Sequence, residues 1–221
     1  MSALLRHEWR RAGLAAGLAA PVALALTVAL GAVAGRPDRL LLAGLEAVVP
    51  LALAMAAVSV MVRERLRELH LSLPVPHTAT LARRLALIAG GAAVLCLAGT
   101  AVLVAVDSTG GPGGGPAALI WASPAVFLGG LAVLVTVATR SAAVAATAVG
   151  LLWLGEQLFA GLFAVHRWLH PFFMFATLRG GSDQSWLANR LTLLAAGALC
   201  LALAVLLLHR PERLLDEEDD Q

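Results

Sequence analysis

Along this chain the hydrophobic and polar positions alternate segment by segment, not residue by residue, in long apolar runs with short polar breaks. Six runs, each of about 18 to 25 residues, have the length that carries an α-helix across a bilayer. They are Ala12 to Ala34, Leu40 to Val62, Leu85 to Val106, Ala117 to Ala138, Ala142 to Phe163 and Leu191 to Leu208. Each residue of a helix rises about 1.5 Å, so such a run covers the roughly 30 Å of hydrocarbon. Only Thr139, Arg140 and Ser141 separate the fourth run from the fifth. Together these two are too long for one crossing, which predicts a tight hairpin at the polar trio. The pattern predicts an all-α membrane protein of six transmembrane helices in a single domain spanning 1–221.

The breaks between runs differ in kind. Residues 107–116, DSTGGPGGGP, have the glycine and proline content of a flexible loop. A phosphate-binding loop would need a Lys followed by Ser or Thr after its glycines, and none follows here. Residues 164–189 mix apolar residues with His166, Arg167, Trp168, His170, Pro171 and the turn GGSD. That stretch is too broken to cross a bilayer and return, and it predicts short helices dipping into the outer face before the sixth span. The opening residues 1–11 form a basic interfacial segment, and 209–221 an acidic tail that reads as solvated. The first apolar run is longer than the core of a secretory leader and is expected to be retained as a helix.

Composition agrees with this picture: 60% of the residues are hydrophobic and 14% charged, with a mean hydropathy of +0.85. The net charge of +2 is uninformative, but the placement of the sixteen basic residues, all of them Arg, is not. With both termini inside, Arg6, Arg10, Arg11, Arg63, Arg65, Arg67, Arg83, Arg84, Arg140, Arg210 and Arg213 face the cytoplasm. Arg36, Arg39, Arg167, Arg179 and Arg190 face out, and the excess inside predicts cytoplasmic termini in a bacterial-type cytoplasmic (inner) membrane. Trp9, Trp121, Trp168 and Trp186 fall near predicted segment ends, where an interfacial belt would place them. Cys96 and Cys200 lie within apolar runs as small hydrophobes, outside any metal or disulfide pattern.

Residues 63–84, RERLRELHLSLPVPHTATLARR, form a polar insert between the second and third runs. Val62, Leu66, Leu69 and Leu73 recur at spacings of four, three and four, which puts them on one helical face, with Arg63, Glu64, Arg67 and Glu68 elsewhere on the surface. Pro74 and Pro76 end that helix, and His77, Thr78 and Thr80 offer caps for the next. By pattern alone this is an amphipathic surface segment. Glu64, then Glu68-Leu69-His70-Leu71-Ser72-Leu73-Pro74-Val75 and the later Arg83-Arg84, resemble the signature of type-2 ABC exporter permeases between their second and third membrane helices. Leu66-Arg67 stand where that family usually has Gly-Thr.

The resemblance implies that the insert is a cytoplasmic coupling helix docking into an ATP-binding subunit. Its contact residues would be Glu64, Glu68, Leu69, Leu71, Ser72, Leu73, Pro74, Val75 and His77. It further implies a second permease subunit, as homodimer or heterodimer, with ATP and Mg held by the ATPase partner and no cofactor on this chain. No G-x-x-x-x-G-K-[ST] motif occurs here, so the ATPase would be a separate polypeptide and this chain a transport subunit, not an enzyme. Membrane lipids are the other expected partner, and nucleic acid is not.

Two carboxylates fall inside apolar runs, Glu46 in the second and Glu156 in the fifth. An ionised group is expensive there, so each is expected to line a substrate path or gate, to pair with Arg190, or to reach the interface or a backbone group. Pro21 and Pro50 read as kinks. His166 and His170, four apart, would share one face of a helix and are weak metal candidates, although Arg167 occupies the place where a zinc-protease motif has Glu. The expected function is a permease subunit of an ATP-driven exporter for hydrophobic or amphipathic substrates. A haem or copper export permease is the alternative within that class, and a non-transporting membrane anchor or regulator the alternative outside it.

Overall fold

The computed structural model describes residues 14–65, 77–106, 117–166, 168–180 and 185–208, and the regular structure among them is entirely helical. Five helices are long and apolar enough to cross a membrane, over Ala16–Val33, Pro37–Val62, Leu81–Ala105, Leu119–Thr139 and Trp186–Leu208. They fit a multi-pass membrane protein. The opening segment 1–11, the glycine-rich loop 107–116 and the tail 209–221 lie outside the described residues, as do residues 66–76 of the insert.

Helix α1, Leu14–Val33, ends in a turn where Gly35 adopts φ +67°, the left-handed conformation that favours glycine after a helix C-terminus. Pro37 opens α2, Pro37–Ala43, at the position where a missing N–H costs nothing, with Asp38 in the first turn. The chain then passes through a π-helical turn, Gly44–Val48, into α3, Val49–Arg65. Pro50 gives the local reason, since it has no N–H to offer the carbonyl of Glu46 one turn back. The turn widens instead, the N–H of Val49 donates to the carbonyl of Gly44, and the carbonyl of Ala47 accepts the indole N–H of Trp153 at 3.0 Å. Pro50 therefore marks a widened turn where the sequence predicts a simple kink.

Helix α4, His77–Ala105, begins within the insert, and both flanking helices outrun their apolar stretches. The stretches end at Val62 and resume at Leu81, whereas the helices run to Arg65 and restart at His77. Helices α5, Leu119–Thr139, and α6, Ala142–Leu158, form the expected hairpin. Arg140 takes a left-handed φ of 54°, and Ser141 caps α6 by accepting the N–H of Val144 at 3.3 Å.

Two boundaries differ from the sequence expectation. The fifth run does not form one helix to Phe163: α6 has 17 residues, the chain turns at Phe159, and α7, Ala160–Val165, continues separately. Here tertiary contacts override the apolar pattern, because Glu156 is drawn to the main chain of Met174 and Phe163 stacks on Phe173 at 5.2 Å. After a 3-10 turn, His170–Phe172, and α8, Ala176–Gly180, the last helix among the described residues, α9, spans Trp186–Leu208, beginning before the expected Leu191. Its polar first turn is accommodated because Trp186, Asn189 and Arg190 all find partners inside the protein.

Most of the residues Ala47–Met61 in the Pro37–Val62 stretch are buried, and this stretch forms the centre of the bundle, whereas α1 and α9 present most of their apolar residues outward. One core cluster joins Ala54 and Val58 of α3 to Leu128 and Ala132 of α5, Ala145 and Val149 of α6, and Phe173 to Phe175. Helices α5 and α9 run side by side at backbone contact. A methyl group added at Gly197 would stand 2.5 Å from the carbonyl oxygen of Val126, and one at Gly130 2.5 Å from that of Gly197. Small residues that let backbones meet replace the hydrophobic driving force that is weak between helices in lipid.

Candidate functional site

The site lies where the π-helical turn, the end of α6, the returning stretch and the start of α9 meet. Glu46 sits on the widened turn and is fully buried, as is Arg190 in the first turns of α9, and the two form a salt bridge through Arg190 Nη2 and Glu46 Oε1. Glu46 also accepts the main-chain N–H groups of Thr177 at 2.8 Å and Leu178 at 2.6 Å. Those are the second and third residues of α8, so a carboxylate from a distant helix acts as its cap.

Arg190 is held through both of its terminal nitrogens. Its Nη1 donates to the carbonyl of Met174 at 3.0 Å and its Nη2 to Thr177 Oγ1 at 2.6 Å, while its Cζ lies 5.4 Å from the centre of the Trp186 ring. The indole N–H of Trp186 donates to the same Thr177 hydroxyl at 2.9 Å. Next along α9, Asn189 donates its amide to the carbonyls of His170 at 2.6 Å and Phe173 at 2.9 Å. Glu156, near the end of α6, accepts the N–H of Met174 at 2.8 Å.

The common feature is that Glu46, Glu156, Asn189 and Arg190 each reach main-chain atoms of one stretch. Residues 170–178 contain only one turn each of 3-10 and α-helix, yet Phe173, Met174 and Phe175 are buried at 8%, 0% and 1% exposure. A buried irregular backbone must have its N–H and C=O groups paired, and in a membrane protein such backbone is tolerated only where protein supplies the partners. Glu46 and Glu156 supply acceptors for three N–H groups, and Asn189 and Arg190 supply donors for three carbonyls. The four side chains form a clasp around a returning segment. Because Glu46 and Arg190 offset each other's charge, the cost of burying either is partly recovered, which an isolated charge would not allow.

Among the sequence-predicted residues, the structure brings Glu46 and Arg190 into direct contact. Glu156 instead reaches Met174. Thr177, Asn189, Trp186 and Trp153 are the members that sequence reasoning missed as site residues. Trp186 is a correction as well, since it is 3% exposed and turned into the clasp rather than placed in an interfacial belt. The histidines are another: α7 ends at Val165, His166 is extended with ψ 103°, and His170 opens the 3-10 turn, so no helical face carries both. Among the described residues, no group of three or more His, Cys, Asp or Glu is arranged to hold a metal ion.

Glu64 lies at the end of α3 and His77 at the start of α4. Glu68, Leu69, Leu71, Ser72, Leu73, Pro74 and Val75 lie outside the described residues. Cys96 and Cys200 are free thiols. Compared with family models, with curated proteins and with solved structures, the chain matches none.

Proposed function

We propose that this chain is the membrane-spanning permease subunit of an ATP-driven exporter, moving a hydrophobic or amphipathic substrate outward with power from separate ATPase subunits. One observation carries the reading: the element that leads into the polar insert is the element that carries the clasp. From Pro37 to Arg65 the chain is helical without interruption, with Glu46 near one end and the insert beyond the other. Force applied at the insert is therefore conveyed along a buried rod to the residue that grips α8. The resemblance of Glu68 to Val75 to a coupling motif supplies the place where an ATPase would pull, and the returning stretch 170–178 is the part that would move. In this reading Glu46, Glu156 and Arg190 act as a gate latch rather than as substrate ligands. Both termini lie in the cytoplasm of a bacterial-type cell, and a second permease subunit completes the path.

The test is to replace Glu68 and Leu73 together by Ala, purify the chain with whatever subunits accompany it, and compare retained ATPase, basal hydrolysis and transport with the parent. Loss of transport with an inserted, stable protein is expected. Unchanged transport would remove the coupling role. A chain that retains a cytosolic partner but supports no ATP hydrolysis in either form would establish the anchor or regulator instead. Orientation is checked separately with single cysteines in a cysteine-free background. Positions Ser2, Thr78 and Ser141 should be shielded from an impermeant thiol reagent in intact cells, and Ser108 and Ser182 should react.

A further inference from the structure

At 17 residues, α6 is about 25 Å long, roughly 5 Å short of the hydrocarbon thickness that the other apolar helices can cover. Its end is not buried by neighbours. Leu158 is 70% exposed, and the surface continues over Phe159, Leu162, Val165 and Trp168, all exposed and apolar. Beside that surface, Arg179 is exposed and donates from Nη2 to Gln157 Oε1 at 3.1 Å. Gln157 is neutral and takes one of the five donors that a guanidinium carries. A cation thus stands beside the end of this short helix, next to exposed apolar surface.

A helix shorter than the bilayer draws the headgroup level down beside it. Lipid headgroups next to α6 therefore approach Arg179, while their chains lie along the exposed Leu154 and Leu158. A guanidinium matches a phosphate oxygen pair in geometry and charge, and net negative headgroups are favoured over neutral ones. From this juxtaposition we infer that the end of α6 together with Arg179 is a binding site for an anionic phospholipid. The inference rests on the apolar helices crossing a bilayer and not on export, so it stands or falls independently of the proposed function.

The experiment places a photoreactive amino acid at position 158 of the full-length chain, reconstituted in vesicles of equal phosphatidylglycerol and phosphatidylcholine, and reads the class of each crosslinked lipid by mass spectrometry. The expected ratio favours phosphatidylglycerol by about fivefold, the enrichment that one basic group carries near an anionic surface. Arg179→Gln should bring it close to parity, and Arg179→Lys should retain most of it. A second reporter at position 206, which is exposed near the other end of α9, should give a ratio that Arg179→Gln leaves unchanged, showing that the variant is folded and the effect local. Parity at position 158 in the parent, an unchanged ratio in Arg179→Gln, or crosslinks to a second copy of the chain in place of lipid would each overturn the assignment.

Discussion

Removing one partner of the Glu46–Arg190 pair tests the clasp most directly. In Glu46→Gln the side-chain shape is kept, but three donors face it: the N–H groups of Thr177 and Leu178 and the Nη2 of Arg190. A carboxylate accepts from all three, whereas an amide offers one oxygen and turns an NH2 group toward another donor. With the amide oxygen at the Oε1 position the contacts to Thr177 and Arg190 can persist, and the one lost to Leu178 would cost about 0.6 kcal/mol as an ordinary interhelical polar contact. The larger effect is electrostatic, because Arg190 is left fully buried without its counter-charge, and breaking such a pair costs about 3–5 kcal/mol. Arg190→Met is expected to cost a similar amount, leaving Glu46 charged with only main-chain partners. The double variant removes both charges and should be more stable than the sum of the singles implies, by at least about 2 kcal/mol of coupling. Unfolding free energies from SDS titration of the purified protein, measured for parent, singles and double, close the cycle. Singles within about 0.5 kcal/mol of the parent, or strictly additive effects, would mean that the pair does not hold the returning stretch and that the gate-latch reading has lost its basis.

Glu156→Gln should be far milder than Glu46→Gln, within about 1 kcal/mol in the same titration, because Met174 donates one hydrogen bond that an amide oxygen can also accept. Thr177→Val keeps the shape but removes the acceptor shared by Trp186 and Arg190, and leaving those buried donors unmade should cost about 1–3 kcal/mol. The loss should be visible both in the titration and as a change in tryptophan emission. Gly197→Ala adds helix propensity worth about 1 kcal/mol, yet its methyl would lie 2.5 Å from a carbonyl oxygen and 2.7 Å from the N of Phe127. Backbone cannot swing aside as a side chain can, so the net is expected to be destabilising, and a neutral or more stable variant would show that α5 and α9 can slide apart at little cost.

How much of this was legible in the sequence depended on whether the deciding atoms belong to side chains. The hairpin between α5 and α6 was legible because Thr139, Arg140 and Ser141 interrupt an apolar run that nothing else interrupts, and Ser141 is a capping residue by type. Glu46, Glu156 and Arg190 stood out because charged residues are expensive in apolar surroundings, and pairing was one natural way to offset that cost. The other half of the clasp was invisible. The donors that reach the carboxylates are the N–H groups of Met174, Thr177 and Leu178, and every residue but proline carries such a group, so no letter in the sequence marks them. The same blindness placed the start of α9 at Leu191. That boundary left out Asn189 and Arg190, which the main-chain carbonyls of 170–174 draw into the protein. Pro50 shows the converse, since its missing N–H was plain but the widened turn also needed a donor for the carbonyl of Ala47, and that donor is a tryptophan on α6, far along the chain. The sequence advertised which residues were costly. Why the protein retains them follows from the returning backbone: residues 173–175 are buried without a ladder of their own, and an all-apolar replacement of Glu46, Glu156, Asn189 and Arg190 would strand five main-chain groups between 173 and 178 and leave the His170 carbonyl only the N–H of Phe173.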